Sequence, residues 1–316
     1  AWNGVPLSYL ENDSLRTFNI YDYENEVDNY GQTHYHLNYT KSLEENETFN
    51  LGLHYTKGEG YFEQFRTNDD LLDYGLENVI VGNDTVTTTD LIRRRWLDND
   101  FYGAIFSYQN NTNKLDYTIG GAWNIYEGAH FGEIIWAQFA SNSNIRDRYY
   151  DNDATKIDFN IYAKGLYKYN NQLTLFGDIQ KRWVEYDFVG LDQNAVELDD
   201  QAKFDFLNPK FGLYYDIDKK SDLYASFAVA NREPNRSDFV DSSPESRPTH
   251  ETLYDTEIGY KYQNKNYTFS ANAYYMIYEN QLVLTGQIND VGAYTRTNIN
   301  SVPYTHLHLP TKSIVY

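Results

Sequence analysis

The sequence predicts an all-β fold, an antiparallel transmembrane β-barrel of which this chain forms a part. Three observations predict it. Apolar and polar residues alternate in about a dozen segments, short polar turns alternate with long polar loops, and aromatic residues make up 17% of the 316 residues. Alternation with period two gives a strand one apolar and one polar face, and aromatic side chains favour the pleated surface of a sheet.

The clearest alternation lies in the segment LDYTIGGAWNI at residues 115–125. Its apolar side carries Leu115, Tyr117, Ile119, Gly121, Trp123 and Ile125. The same pattern recurs at residues 49–56, 157–165, 173–180, 222–229 and 267–277. Many of these segments are about 10–14 residues long, whereas the usual strand of a globular protein has about 5–6 residues. The pattern therefore predicts unusually long strands.

The first predicted hairpin fixes its own register. If the chain turns at residues 42–47 so that paired positions sum to 90, Tyr35 lies opposite Tyr55, and Leu37 lies opposite Leu53. His36 then lies opposite His54 on the polar face. A shift of one residue would mix the two faces, so the sequence predicts this one register.

The connections between the predicted strands are of two kinds. Short polar connections lie at 42–47, 109–114, 169–172, 216–222 and 263–266. Long polar loops are predicted near 60–98, 127–153, 188–202 and 232–250. Short periplasmic turns alternating with long extracellular loops are typical of outer-membrane barrels. A soluble sandwich or propeller is the alternative, but no blade repeat of 40–50 residues is visible.

The apolar face is expected to contact lipid, because the mean hydropathy is only −0.70 and the other faces carry polar residues at successive positions. Aromatic residues near the segment ends are expected to form the interfacial girdles of a membrane barrel. These residues are Tyr117, Trp123, Tyr126, Trp183, Tyr186, Tyr274, Tyr275 and Tyr278.

Composition excludes several classes of function. The net charge is −20, which argues against nucleic-acid binding. There is no cysteine, so no disulfide or cysteine-based metal site is possible. No apolar run is long enough for a transmembrane helix, and no common catalytic motif is present. We therefore expect no enzyme activity and no cofactor, although a carbohydrate-active β protein could use carboxylates that are distant in sequence.

Four segments carry a resemblance to a known family. FAVANREPNRSDF at 227–239 and HETLYDTEIGYKYQNKNYTFSANAYYMIYENQLV at 250–283 resemble the barrel of TonB-dependent outer-membrane receptors, as do AWNGVP at 1–6 and LHYTKGEGYFEQF at 53–65. The resemblance implies a barrel of 22 strands, of which this chain holds about 12, in the outer membrane of a Gram-negative bacterium. It also implies a plug domain in the same full-length chain and a periplasmic TonB energy-coupling protein. Active transport of a scarce ligand is the implied function, most often of a ferric siderophore or similar iron chelate.

The sequence departs from the family in three places. The plug with its coupling motif and the final strands are not found, so residues 1–300 are interpreted as a partial barrel. This fragment is not expected to work alone, because open sheet edges are costly in lipid. Residues 301–316, SVPYTHLHLPTKSIVY, lack clean alternation and are expected to be a non-native or irregular tail. A passive or structural outer-membrane barrel and a soluble carbohydrate-active β protein remain alternatives.

Two arginine-rich segments are candidate contact sites for a ligand or for the plug. The resemblance places Arg232, Glu233, Asn235 and Arg236 at the rim, near plug and ligand. Arginine suits anionic ligands because its guanidinium is always charged and donates two parallel hydrogen bonds. Arg93, Arg94 and Arg95 could steer an anionic ligand or bind lipid phosphate. A solvated loop with internal ion pairs is the alternative for both segments.

Three histidines are weak candidates for metal ligands. His34, His36 and His54 share the polar face in the predicted register, and three imidazoles could bind a transition metal. The sequence specifies no fourth ligand, so ordinary residues lining a lumen are the alternative interpretation.

Overall fold

The computed structural model describes residues 5–19, 21, 23–193, 195, 197–240, 242, 247–288 and 294–308. Its strands are β1 (Asp28–Ser42), β2 (Glu47–Asp70), β3 (Val79–Val81), β4 (Asp84–Val86), β5 (Thr88–Asn111), β6 (Leu115–Ala137), β7 (Arg148–Lys168), β8 (Leu173–Leu191), β9 (Glu197–Asp218), β10 (Ser221–Arg232), β11 (Glu251–Gln263), β12 (Thr268–Glu279), β13 (Gln281–Ile288), β14 (Tyr294–Ile299) and β15 (Val302–His308). Two short 3₁₀ helices, Leu7–Glu11 and Leu71–Tyr74, and one α-helix, Arg236–Val240, complete the described elements.

Eleven of these strands form a single sheet in the order β1-β2-β5-β6-β7-β8-β9-β10-β11-β12-β15. Sequential long strands pair with one another in antiparallel fashion. The remaining strands form two small hairpins, β3-β4 and β13-β14, within the long loops. The predicted antiparallel barrel wall is confirmed, with eleven strands in the sheet rather than about a dozen.

The register predicted for the first hairpin is confirmed. In the β1-β2 pair, Tyr35 lies opposite Tyr55, Leu37 opposite Leu53, and His36 opposite His54. Alternation was sufficient because only this register keeps apolar side chains on one face throughout the hairpin.

The apolar faces of the long strands join into one continuous band. Along one row of paired residues, Leu53 lies opposite Ala104, Ala104 opposite Trp123, Trp123 opposite Phe159, and Phe159 opposite Trp183. Trp123 is 47% exposed, as expected for a side chain that faces lipid in a barrel. From Leu173 to Trp183 the strand rises about 25 Å at the usual tilt, which matches the apolar band of an outer-membrane barrel. One charged residue, Lys181, shares this face near the Trp183 end, where it pairs with Asp205.

Three predicted long loops are shorter than expected because the strands continue far beyond the apolar band. β2 continues to Asp70 and β5 begins at Thr88, so that loop covers residues 71–87 instead of 60–98. The loops predicted at 127–153 and 188–202 are likewise reduced to 138–147 and 192–196. Above the band both faces of the sheet carry polar residues, so the alternation that marks a strand disappears while the backbone pairing continues.

The predicted aromatic girdle is correct only in part. Trp123 and Trp183 share the apolar face, and their side chains are exposed. Tyr126 and Tyr186 lie an odd number of residues along the same strands and therefore project from the polar face; Tyr186 is only 5% exposed. By the same parity, Tyr275 projects from the apolar face of β12, whereas Tyr274 and Tyr278 project from its polar face. Clustering in sequence concealed that the aromatic residues divide between two faces.

Two hydrophobic clusters form where the long loops fold onto the polar face. The first contains Leu71, Tyr74, Leu76, Leu91, Ile134, Tyr149 and Tyr150. The second contains Ala154, Val184, Tyr186, Phe188, Leu198, Phe206 and Phe239. Both lie at the end of the sheet where the long loops are, so these loops are packed against the wall.

The last described strand extends beyond the predicted domain boundary at residue 300. β15 pairs with β12, so that Thr305 lies opposite Tyr275. Residues 309–316 lie outside the described residues, and the non-native or irregular character of residues 301–316 stays a prediction. In the part of the chain that the structure describes, no helix is long and apolar enough to cross a membrane, a finding that concerns helices alone.

Candidate functional site

The loop after β10 places Glu233 against the polar face of two neighbouring strands. Lys156 and Asp158 on β7 and Arg182 on β8 lie on this face, since they alternate with the apolar Phe159 and Trp183. Together with Glu233 they form the Glu233 network, named here for its central carboxylate. Pro234, which follows, is fully buried and fixes the backbone dihedral φ where the loop turns onto the wall.

Arg182 joins two carboxylates from different parts of the chain. Its two terminal nitrogens donate to the two carboxylate oxygens of Glu233, each at 2.7 Å. Its Nη2 also donates to Asp158 at 2.6 Å, and Lys156 donates to Glu233 at 2.9 Å. Paired, bidentate hydrogen bonds between charged groups are among the strongest in proteins. The Glu233 network therefore holds the beginning of the loop at the wall.

The electrostatic surroundings of Glu233 keep it ionised. Burial alone would raise the pKa of Glu233, but the hydrogen bonds from Arg182 and Lys156 outweigh this effect and lower the pKa to about 2. Its side chain is only 9% exposed, so these pairs are little screened by water. At neutral pH the network holds two negative and two positive charges.

Asn235 and Arg236 begin the short helix that follows. The Asn235 side chain accepts a hydrogen bond from the amide of Asp238 at 3.0 Å, and the Asp238 carboxylate accepts one from the amide of Asn235 at 2.8 Å. This reciprocal pair is a capping box. Arg236 Nη2 donates to the side-chain oxygen of Asn152 on β7. Asn235 thus shapes the loop, and Arg236 reaches across the polar face.

Arg232 lies apart from the Glu233 network. Its Nη2 is 3.5 Å from a carboxylate oxygen of Glu251 and 3.3 Å from the carbonyl oxygen of Leu282. The side chain is 55% exposed. It connects the end of β10 with the β13-β14 hairpin.

The three consecutive arginines on β5 alternate between the faces of the sheet. Arg93 and Arg95 are buried on the polar face, where Arg93 donates to Gln64 at 2.9 Å and to the Tyr74 hydroxyl at 3.0 Å. Arg95 donates to the Tyr149 hydroxyl at 3.3 Å.

Arg94 projects from the opposite, outer face of the sheet, where it donates to Glu63 at 2.6 Å. Its guanidinium also stacks over the Tyr61 ring, 4.2 Å from the ring centre. Arg93 and Arg95 hold the polar-face loops in place, whereas Arg94 is satisfied on the outer surface.

The three histidines share the polar face, and two of them have hydrogen-bond partners of their own. His34 Nδ1 lies 2.9 Å from the Thr56 hydroxyl oxygen, and His54 Nε2 lies 2.9 Å from the Asn124 side-chain oxygen. The His34 and His36 rings are 6.1 Å apart. No group of three or more potential metal-ligating side chains occurs among the residues with described positions.

Sequence reasoning missed the partners that position Glu233. Lys156, Asp158 and Arg182 lie in strands that were assigned by alternation alone, and only the sheet brings them to one place. One signal was available, because Asn235-x-x-Asp238 has the spacing of a capping box and predicts a helix start inside the loop. The resulting site is a charge-balanced network at the long-loop end, in which Lys156 and Arg182 pair with Glu233 and Asp158.

A family model, TonB dependent receptor-like, beta-barrel, matches residues 2–306. No curated protein sequence matches the chain. The family consists of transporters and receptors rather than enzymes.

Solved structures share the fold at low sequence identity. The ferric-catecholate import receptor Fiu from Escherichia coli K12 is 12% identical with a TM-score of 0.57, and the match covers 95% of this chain and 50% of Fiu. The copper transporter OprC is 11% identical with a TM-score of 0.66, over 88% of this chain and 44% of OprC. The ferric yersiniabactin uptake receptor FyuA from Yersinia pestis is 10% identical with a TM-score of 0.52, over 88% of this chain and 39% of FyuA. The chain spans half or less of each of these proteins.

Proposed function

The chain belongs to the TonB-dependent receptor-like β-barrel family, and on that premise we propose that it is the barrel portion of an outer-membrane receptor that actively imports a ferric siderophore or similar iron chelate. The observation that carries the proposal is the family match over nearly the whole sheet. The continuous apolar band supports a position in the outer membrane, because it has the height that such barrels require.

The proposed ligand class draws on the similar structures. Fiu is a ferric-catecholate import receptor and FyuA a ferric yersiniabactin uptake receptor. OprC is a copper transporter, so copper uptake is a necessary comparison in the test.

The proposed partners follow from the family. A plug domain of the same full-length chain would occupy the lumen, the periplasmic TonB protein would supply energy, and lipid would cover the apolar band. At the long-loop end we assign contact with ligand or plug to Arg232, Glu233, Asn235, Arg236, Arg93 and Arg95, and we leave out Arg94 because it projects from the outer face. The Glu233 network supports this assignment, because it places charged groups of a long loop on the polar face.

Uptake by the full-length receptor tests this function. The receptor would be expressed in cells that lack their own iron-chelate receptors, and uptake of radioactive iron would be measured for catecholate, hydroxamate and citrate chelates. We expect saturable uptake of at least one chelate that disappears in a matched strain without TonB. Uptake that is independent of TonB would instead support a passive barrel, and TonB-dependent uptake of copper without iron would overturn the proposed ligand class.

A further inference from the structure

The β13-β14 hairpin lies against the loop that carries the candidate site. In this hairpin Leu282 lies opposite Asn298, and Leu284 lies opposite Arg296. Residues that face each other across an antiparallel pair, and residues two apart along a strand, project from the same side. Arg296 and Asn298 therefore share one side of the hairpin with Leu282, which is only 7% exposed. From this side the hairpin contacts the loop between β10 and β11.

Two sets of hydrogen bonds attach the hairpin to the ends of that loop. The Asn298 side-chain nitrogen donates to the carbonyl oxygen of Thr249 at 3.0 Å, and the Asn298 side-chain oxygen accepts from the Thr249 amide at 2.6 Å. The Leu282 amide donates to the Glu251 carboxylate at 2.8 Å, while the Leu282 carbonyl oxygen accepts from Arg232 at 3.3 Å. An amide side chain can donate and accept at once, so Asn298 is held in one orientation. The hairpin is therefore fixed relative to both ends of the loop.

Arg296 extends from the hairpin to the middle of the loop. Its Nη1 lies 3.5 Å from a carboxylate oxygen of Asp238, whose side chain is only 1% exposed. A buried carboxylate is costly without a positive partner, so the charge of Arg296 favours the buried position of Asp238. The same carboxylate accepts from the Asn235 amide in the capping box. The contacts thus lead from Arg296 through Asp238 to the beginning of the short helix.

Arg236 lies in the chain between two attachments of the loop. The first is the Glu233 network, which holds the beginning of the loop on β7 and β8. The second is the contact of Asp238 with the hairpin. Arg236 itself donates from Nη2 to the Asn152 side chain on β7. Because the backbone is held on both sides of Arg236, the direction of this long side chain depends on both attachments.

We propose that Arg296 is a positioning residue, which from the hairpin fixes, through Asp238, the place at which Arg236 contacts ligand or plug. The inference rests on the proposed function and extends the site to a hairpin in which the sequence marked no candidate residue. Arg296 acts only through Asp238 and touches neither ligand nor plug. A positive charge at this position is therefore what matters, and a lysine should replace the arginine.

Hydrogen exchange of the full-length receptor in detergent tests this role. Arg296→Gln should accelerate exchange in peptides that cover residues 233–240 by about tenfold, an effect between those of a surface ion pair and a fully buried one. Arg296→Lys keeps the charge and should stay within about threefold of the wild type. Asp238→Asn keeps an oxygen that can accept from Asn235. If Arg296 acts through Asp238, adding Arg296→Gln to Asp238→Asn should change the rate by less than about twofold.

Arg148→Gln is the matched control, because it removes an ion pair at 2.7 Å between Arg148 and Asp151, which both lie on β7. This variant should leave exchange in residues 233–240 unchanged. An exchange rate of Arg296→Gln within about twofold of the wild type, no rescue by Arg296→Lys, or independent effects of the two changes in the double variant would each overturn the inference.

Iron uptake separates this inference from the proposed function. Arg296→Gln should need about threefold more chelate for half-maximal uptake, whereas Arg296→Lys should match the wild type. An unchanged half-saturation concentration in Arg296→Gln would overturn its role in positioning Arg236. If the wild type takes up no chelate at all, the proposed function fails, and the exchange rates still decide whether Arg296 holds the loop.

Discussion

Replacing Glu233 by Gln should release the beginning of the long loop from the wall. The change removes the negative partner of Lys156 and one of the two carboxylates bound by Arg182. Arg182 and Lys156 lower the pKa of Glu233 to about 2, and at neutral pH this preference for the ionised form corresponds to about 3 kcal/mol of stabilisation. The cost of removing one partner of a buried ion pair, about 3–5 kcal/mol, is similar.

Hydrogen exchange of the full-length receptor measures this effect locally. A loss of about 3 kcal/mol in the opening free energy should accelerate exchange in peptides that cover residues 233–240 by roughly 100-fold. Glu197→Gln is the control, because Glu197 is exposed at the start of β9 and should leave the rate unchanged. If Glu233→Gln exchanges within about twofold of the wild type, the Glu233 network does not hold the loop and the reasoning from its geometry is wrong.

Three further predictions concern pH, the aromatic cluster and one close approach. The contribution of Glu233 to the stability of the loop should be complete above about pH 4.5 and should decline as the pH falls towards 2, because the pKa of Glu233 is lower in the folded state than in the unfolded state. Hydrogen-exchange rates of the wild type, corrected for the intrinsic pH dependence of exchange, should therefore approach those of Glu233→Gln in acid. Parallel pH profiles of the two proteins would contradict this. Phe239→Ala should destabilise the loop by about 3–5 kcal/mol, since the Phe239 ring lies 5.8 Å from both Tyr186 and Phe188. Exchange in residues 236–240 checks it, and an unchanged rate would exclude a role of this ring in packing the loop. Gly259→Ala should lower the heat resistance of the folded barrel in gel electrophoresis, because a Cβ at this position would overlap the Tyr224 ring. Gly177→Ala is the control and should leave the heat resistance unchanged, because a Cβ there meets nothing within 4 Å. Equal effects of the two substitutions would refute the steric explanation.

Alternation predicted the membrane part of the fold well because it is a local property. Each strand had to place its apolar residues on one face, and this requirement fixed the Tyr35–Tyr55 register without any knowledge of the rest of the sheet. The same signal failed above the apolar band. The extension of β2 to Asp70 depends on pairing with β5 rather than on its own pattern, so the predicted loop was too long.

The candidate site could be predicted only as a list of separate residues. The loop residues Glu233 and Arg236 were selected for their charge and their place after a strand. The partners of Glu233 are Lys156 and Arg182, which lie 77 and 51 residues away in the chain. Arg93 and Arg94 were grouped as neighbours, yet their side chains project from opposite faces because successive residues of a strand do so.

By itself, the sequence determined that this chain forms long antiparallel strands with one apolar face, because every second residue of a strand projects from the same face. The tertiary structure decided which charges meet. Glu233 lies against Arg182 and Lys156 only because the loop after β10 folds over the polar face of β7 and β8. The energies of such ion pairs fall with distance and with exposure to water, and both quantities are set by packing between segments that are distant in sequence.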